Sequence, residues 1–261
     1  MVVLPELTPR ILPIRRACLI VILASLAASC TQRILPPAAV VQTSVPADFP
    51  GAYYRQAEAS GEKVLRVDPQ HSLVTITVRR GGSLARLGHD HVVASHDVGG
   101  YVHVAGGRAD LYVPLERLAV DEPGLRAEAG LSTQPSAEAV EGTRRNMLEK
   151  VLESERFPYA YIHVTRTAAD STTFPGSTSL PGHTSLIVTL ALHGMEKTFE
   201  IPARIETLPA RIETLPGGIS ISGKMIFNQT DFGIVPFSVL GGALQVQDSL
   251  ALHFRIFAAD N

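Results

Sequence analysis

From Val64 to Ala258 the chain alternates. In "LIVTLAL", Leu186, Val188, Leu190 and Leu192 fall on one face and Ile187, Thr189 and Ala191 on the other. In "SLALHFRIF", Leu250, Leu252, Phe254 and Ile256 share a face against Ala251, His253 and Arg255. Side chains of a strand point to opposite faces in turn, so period two marks a strand with one buried face. The same pattern runs through "KVLRVD", "SLVTITVRR", "DVGGYVHVAG", "ADLYVPLERLAV", "YAYIHVTRT", "KTFEIPARIE" and "GISISGKMIF". The last run, "ALQVQDSLALHFRIF", reads as one closing strand, with Leu244 and Val246 sharing a face at its start. About eight such runs, separated by Gly, Asn, Asp and Pro, call for an antiparallel barrel or sandwich. The 21 glycines, 18 prolines and absent tryptophan fit a turn-rich β protein. Gly99-Gly100 and Gly241-Gly242 are expected at sharp bends of barrel strands.

Two stretches break the alternation. In Ser132 to Pro158, Val140, Met147, Leu148, Val151 and Leu152 fall near one helical stripe that Phe157-Pro158 ends, which predicts one lateral helix. "PARIETL" occurs twice in succession, at Pro202–Leu208 and Pro209–Leu215. An odd shift inverts the alternation of a strand, and its prolines argue against a central one. The repeat is therefore expected in a lengthened hairpin loop, which costs little closure entropy.

The first thirty residues read as an export signal. Arg10, Arg15 and Arg16 precede the apolar "ACLIVILASLAAS", which is short for a membrane span, and "LAASC" runs small residues into Cys30. This resembles a bacterial lipobox. It predicts a signal over 1–29, a lipidated Cys30 as membrane anchor and, with Gln32 following, residence in the periplasm at the outer membrane. Thr31 to Lys63 is rich in Pro, Ala and small polar residues without a sustained period, so 30–63 reads as a flexible tether and 64–258 as the folded domain. Cys18 and Cys30 are the two cysteines. The domain therefore has no disulfide, thiolate nucleophile or thiolate metal site. A net charge of −2 without an arginine-lysine stripe gives no footprint for nucleic acid.

The order of motifs resembles the YceI-like family. "RVDPQHSLVTITVRR" is similar to its opening strands, and "LARLGHDHVV" lies where that family carries a strand after the first hairpin. "GTRRNMLEKVLESERFPYAYIHVT" resembles its helix and following strand, and "TLALHGMEKTFEIPARI" its next strand pair. "SGKMIFNQTDFGIVPFS" and "LQVQDSLALHFRIFA" resemble its closing turn and strand. The resemblance covers roughly 64–258. It implies a mainly β, eight-stranded antiparallel lipocalin-like barrel holding a polyisoprenoid, an isoprenoid quinone or another long apolar lipid, with no cofactor.

The residues that carry chemistry cluster in "LARLGHDHVVASHDVGG". Read as a strand over 84–94, it puts His89 and His91 on one face and Asp90 on the other. Two imidazoles at that spacing suit the head group of a ligand at a barrel mouth, hydrogen bonds within the fold, or a metal joined by His96 or His103. The ligand-binding candidates are His89 and His91 at the mouth and Val188 on the wall. In "TDFGIVPF", Asp231 and Gly233 read as a turn, since no other kinase signature accompanies them. Arg144 and Arg145 are expected to pair at the surface with Asp121, Glu122 or Glu141. No G-x-S-x-G or H-E-x-x-H motif is present, so no catalytic residue is assigned. Three readings remain open: a non-enzymatic lipid carrier, a metal-binding or hydrolytic envelope protein using His89 and His91, and a structural barrel without ligand.

Overall fold

The computed structural model describes residues 45–166, 183–208 and 217–260. Eight staves close into an antiparallel barrel in simple up-and-down order. The first three are each broken into two segments: β1 (Val64–Val67 and Leu73–Val78), β2 (His91–Ser95 and Gly99–His103) and β3 (Arg108–Pro114 and Ala119–Val120). The others are β4 (Tyr159–Arg166), β5 (His183–Leu192), β6 (Met195–Leu208), β7 (Gly218–Asn228) and β8 (Ser249–Ala259). β8 pairs with β7 along its length and with both segments of β1 on its other side, which completes the ring.

The breaks in β1, β2 and β3 lie side by side and turn one corner of the barrel. Gly100 supplies the bend in β2. Its φ is +142°, and a Cβ there would stand 2.2 Å from the carbonyl oxygen of Asp110 on β3. The second glycine pair lies elsewhere. Gly241-Gly242 make the turn between two short strands, Ser238–Val239 and Leu244–Val246, which form a separate small sheet with Arg80–Gly81. The closing run is thus two elements rather than one strand. Asp248 binds the Thr230 N–H and hydroxyl at the junction, and β8 begins only at Ser249.

The predicted faces are the observed ones. Leu186, Val188, Leu190 and Leu192 of β5 and Leu250, Leu252, Phe254 and Ile256 of β8 all point inward. Arg66, Lys224, His253 and Arg255 stand exposed on the outside. Apolar inside and polar outside is the reverse of a barrel that spans a bilayer.

The lateral helix is present as α3. Among the helices, α1 is Gly51–Ala59, α2 is Pro123–Glu128 and α3 is Ala137–Asn146. Ser136 caps α3 by accepting the Ala139 N–H, and Met147–Val151 continue it as a π turn. That turn keeps Met147, Val151 and Leu152 over one end of the barrel.

Three expectations are corrected. Part of the span read as tether folds: α1 lies within it, and Tyr54 is 1% exposed against the outer wall of β2 and β3. Its stripe of Gly51, Tyr54 and Ala57 is too narrow and too small to stand out as a helical period. The first "PARIETL" copy is strand rather than loop, since Pro202–Leu208 ends β6. Pro202 stands where the ladder to β7 stops at Ala203, so its missing N–H interrupts little of that ladder. The second copy lies outside the described residues. Among the described residues Arg144 pairs with no carboxylate; it donates to the Leu118 and Glu116 carbonyls at 3.2 and 2.5 Å, beside the second segment of β3.

Candidate functional site

Inward side chains do not fill the barrel. Ala109, Ala160 and Gly223 stand where large residues would meet across the interior. At Gly223 a Cβ would lie 2.6 Å from the Phe254 ring, so the glycine makes room for that ring. What remains is a cavity of about 380 Å³ with almost wholly aliphatic walls. That volume lies at the lower end of the roughly 300–1,000 Å³ typical of ligand pockets. An apolar lining offers water few hydrogen-bond partners, and an apolar occupant would add dispersion contacts. Val188 is 6% exposed in the wall, paired with Val164 on one side and Phe199 on the other.

At one end the cavity is bounded by the π turn after α3, by Phe237, Val239 and Leu244 of the small sheet, and by Arg79, Arg80, His89 and His91. A second hollow of about 590 Å³ lies at the opposite end, ringed by Lys63, Arg108, Arg166 and Asp260. The two hollows share Val102, Ala109, Val164, Leu186 and Ile221 as walls.

His89 and His91 both border the cavity, as expected, but not as one strand. Ala85–Leu87 is a 3-10 turn, and β2 begins at His91. The two rings stand 6.4 Å apart, edge to face. His89 is exposed and makes no hydrogen bond among the described residues. His91 is fixed from behind: its Nδ1 lies 2.6 Å from Oδ2 of Asp121. Asp121 also accepts the Val92 N–H at 3.0 Å and a guanidinium N–H of Arg126. Burial by itself would raise the Asp121 carboxyl. The hydrogen bonds from His91, Val92 and Arg126 outweigh it and hold the group below the usual carboxylate range. Arg126 is fully buried on α2 and donates further to the carbonyls of Asp90 and Thr133. This Asp121–Arg126 pair was not singled out as a unit from the sequence. The spacing of "DEPGLRAEAG" carries no motif, and Asp121 reaches His91 only because it sits at φ +58° after the short segment of β3.

The other members of the histidine cluster go elsewhere. Asp90 binds the Arg79 guanidinium at 3.0 Å and the Arg80 N–H at 2.9 Å. His96 pairs with Glu122 at 2.8 Å on the surface, and Asp97 with Arg117 at 2.9 Å. His103 lies at the far end of β2 between Glu62 and Tyr53, at 2.6 and 2.8 Å. Neither His96 nor His103 therefore completes a ligand set with the pair, and among the described residues no three His, Cys, Asp or Glu side chains converge. Asp231 and Gly233 form the expected turn. Asp231 accepts the Asn228 N–H, and Gly233 closes the turn at φ +68°.

A family model described as a YceI-like domain matches residues 65–258. Among solved structures, the chain is similar to a polyisoprenoid binding domain from Saccharophagus degradans implicated in plant cell wall breakdown. The match has a TM-score of 0.51 and 12% identity, over 76% of this chain and 98% of that one. It is also similar to BcnA of Burkholderia cenocepacia, with a TM-score of 0.47 and 10% identity over 73% of this chain and 98% of that one. No curated protein matches the chain.

Proposed function

The chain belongs to the YceI-like family, and from that premise we propose that it is a carrier for a long apolar lipid, a polyisoprenoid or an isoprenoid quinone. The observation that carries this reading is the apolar cavity of about 380 Å³ inside the barrel. The tail lies among Val188, Leu190, Leu252 and Phe254, and apolar burial supplies the affinity. The head group sits at the mouth, where Asp121 holds Nδ1 of His91, its Nε2 makes no hydrogen bond among the described residues, and His89 stands beside it. The name of the Saccharophagus degradans domain supports the ligand class. We propose further that the chain is exported, anchored through a lipidated Cys30, and works in the periplasm at the outer membrane. We propose that it acts as a binding protein rather than an enzyme, a reading the family match supports. The metal-binding reading finds no third ligand among the described residues.

The test is organic extraction of the purified full-length chain, with mass spectrometry of the extract and uptake of added polyprenol. The expected result is one apolar ligand per chain, lost in V188W, in which the added ring occupies the cavity. A chain that yields no ligand and takes up no polyprenol overturns the proposal.

A further inference from the structure

Resting on that reading, we infer that the end of the barrel bearing His89 and His91 docks on a lipid bilayer through a lip of exposed aliphatic side chains. Leu87, Val235, Val239 and Leu240 are 61, 80, 39 and 70% exposed. Single exposed aliphatics are ordinary, but a group of them on neighbouring loops is not.

These four stand on two loops that are joined to one another. The Leu84 N–H donates to the Ala243 carbonyl at 2.7 Å, and Gln245 and Val246 pair with Gly81 and Arg80. The Ala243 N–H in turn closes the Leu240 turn at 3.3 Å. Leu240 holds its side chain outward at φ +54°, a backbone region that a leucine populates poorly. A polar residue or glycine would suit that turn better in water.

The lip is continuous with the cavity. Val239 is both exposed on the lip and part of the wall, and its neighbours Phe237 and Leu244 face the interior. An apolar chain leaving a membrane at this point passes Val239, Phe237 and Leu244 on its way into the barrel, with Arg79, Arg80, His89 and His91 also at the mouth. Cations flank the path: Arg86 precedes Leu87, and the Lys150 ammonium lies 5.9 Å from the Phe237 ring centroid. Aliphatics that enter the acyl boundary with basic residues beside them are the pattern of an interfacial membrane contact. A second copy of the chain fits less well, because a stable protein interface needs about 800 Å² of matched surface per partner. These side chains are loop tips rather than a flat face. Of the other exposed apolar side chains, Met195 stands against Gly233, two residues before Val235; Val104 borders the hollow at the opposite end, and Ile226 is on the outer wall of β7.

The chain contains no tryptophan, so one introduced residue reports its own depth. L240W and V104W are compared in the full-length chain with phosphatidylcholine–phosphatidylglycerol vesicles carrying brominated acyl chains. L240W is expected to shift to the blue and be quenched, and V104W to keep its aqueous emission. Comparing two positions in one chain separates the lip from any anchor elsewhere. In the double variant V235S/L240S, vesicle contact at the lip weakens by about tenfold or more, as the loss of inserted aliphatic groups requires. Polyprenol added from solvent still binds that variant. Aqueous emission from L240W, or equal quenching at both positions, overturns the inference even where polyprenol binds. A lip that docks on a chain that takes up no polyprenol overturns only the carrier reading. If V235S/L240S instead converts a dimer to a monomer, the lip joins copies of the chain and the inference is wrong.

Discussion

Two polar networks support this barrel, one beside the cavity mouth and one on the outer wall under α1. Both centre on a carboxylate held below its usual range. At the mouth, Asp121 joins His91 to the buried Arg126. Under α1, Asp110 accepts from Tyr54 at 2.6 Å and Arg108 at 2.7 Å, with His163 at 2.7 Å. Burial pushes the Tyr54 hydroxyl well above its ordinary value and the Asp110 hydrogen bond adds to that, so Tyr54 remains a donor. The outer network closes on itself and staples a helix to the wall. The inner one ends on the His91 imidazole, which borders the cavity and whose Nε2 makes no hydrogen bond among the described residues. Similar chemistry therefore yields a clasp in one place and an oriented imidazole at the cavity mouth in the other.

The sharpest way to break the comparison is at Asp121. D121N keeps shape and tolerates the positive φ, but leaves the Arg126 guanidinium, 1% exposed, without its counter-charge. Breaking a buried pair from one side costs about 3–5 kcal/mol. Denaturant unfolding is expected to show that loss, and ligand affinity to fall with it as His91 loses its fixed orientation.

Y54F tests the clasp. It removes one hydrogen bond to a charged group, worth about 1.5–3 kcal/mol, and leaves the mouth untouched. Stability falls while polyprenol binding stays. The pH dependence follows from the sign of the Asp110 shift. Burial raises that carboxyl, but the bonds from Arg108, Tyr54 and His163 lower it below the unfolded value. Its contribution is complete above the ordinary carboxylate range and is lost as pH falls from there through the lower folded value. Without Tyr54 the folded value rises, so acid unfolding of Y54F sets in at a higher pH than in the parent chain. An unchanged acid midpoint would mean that Asp110 does not depend on the clasp.

The smallest effect is expected at His89. H89A touches neither network, so its melting temperature matches the parent. Only the affinity for a ligand with a polar head drops, which titration with a polyprenyl phosphate and the head-free hydrocarbon would read. Equal affinity for both ligands in parent and variant would remove His89 from the site.

Much of the barrel was legible in the residues. The inward faces of β5 and β8 follow from alternation alone, and the lateral helix from its stripe of Val140, Met147, Leu148, Val151 and Leu152. The site was legible only in part. His89 and His91 stand out by type and spacing and do border the cavity. His96 and His103 stand out equally and lie elsewhere. Nothing local distinguishes them, because β2 carries them to different levels and faces of the barrel. The lip was not singled out either, since Val235, Val239 and Leu240 lie before the closing run and follow no period, and only the pairing of Val239 with Leu244 shows how that loop folds.

The sequence by itself determined which side of each long strand is apolar, because successive side chains must point to opposite faces whatever the strand packs against. The tertiary structure decided what stands behind His91 and what remains exposed at the mouth. Asp121 is thirty residues from His91 in the chain, and their 2.6 Å contact exists only once the ring of staves is closed. Contacts of that kind depend on where breaks, turns and helices place distant segments, and no local period encodes them.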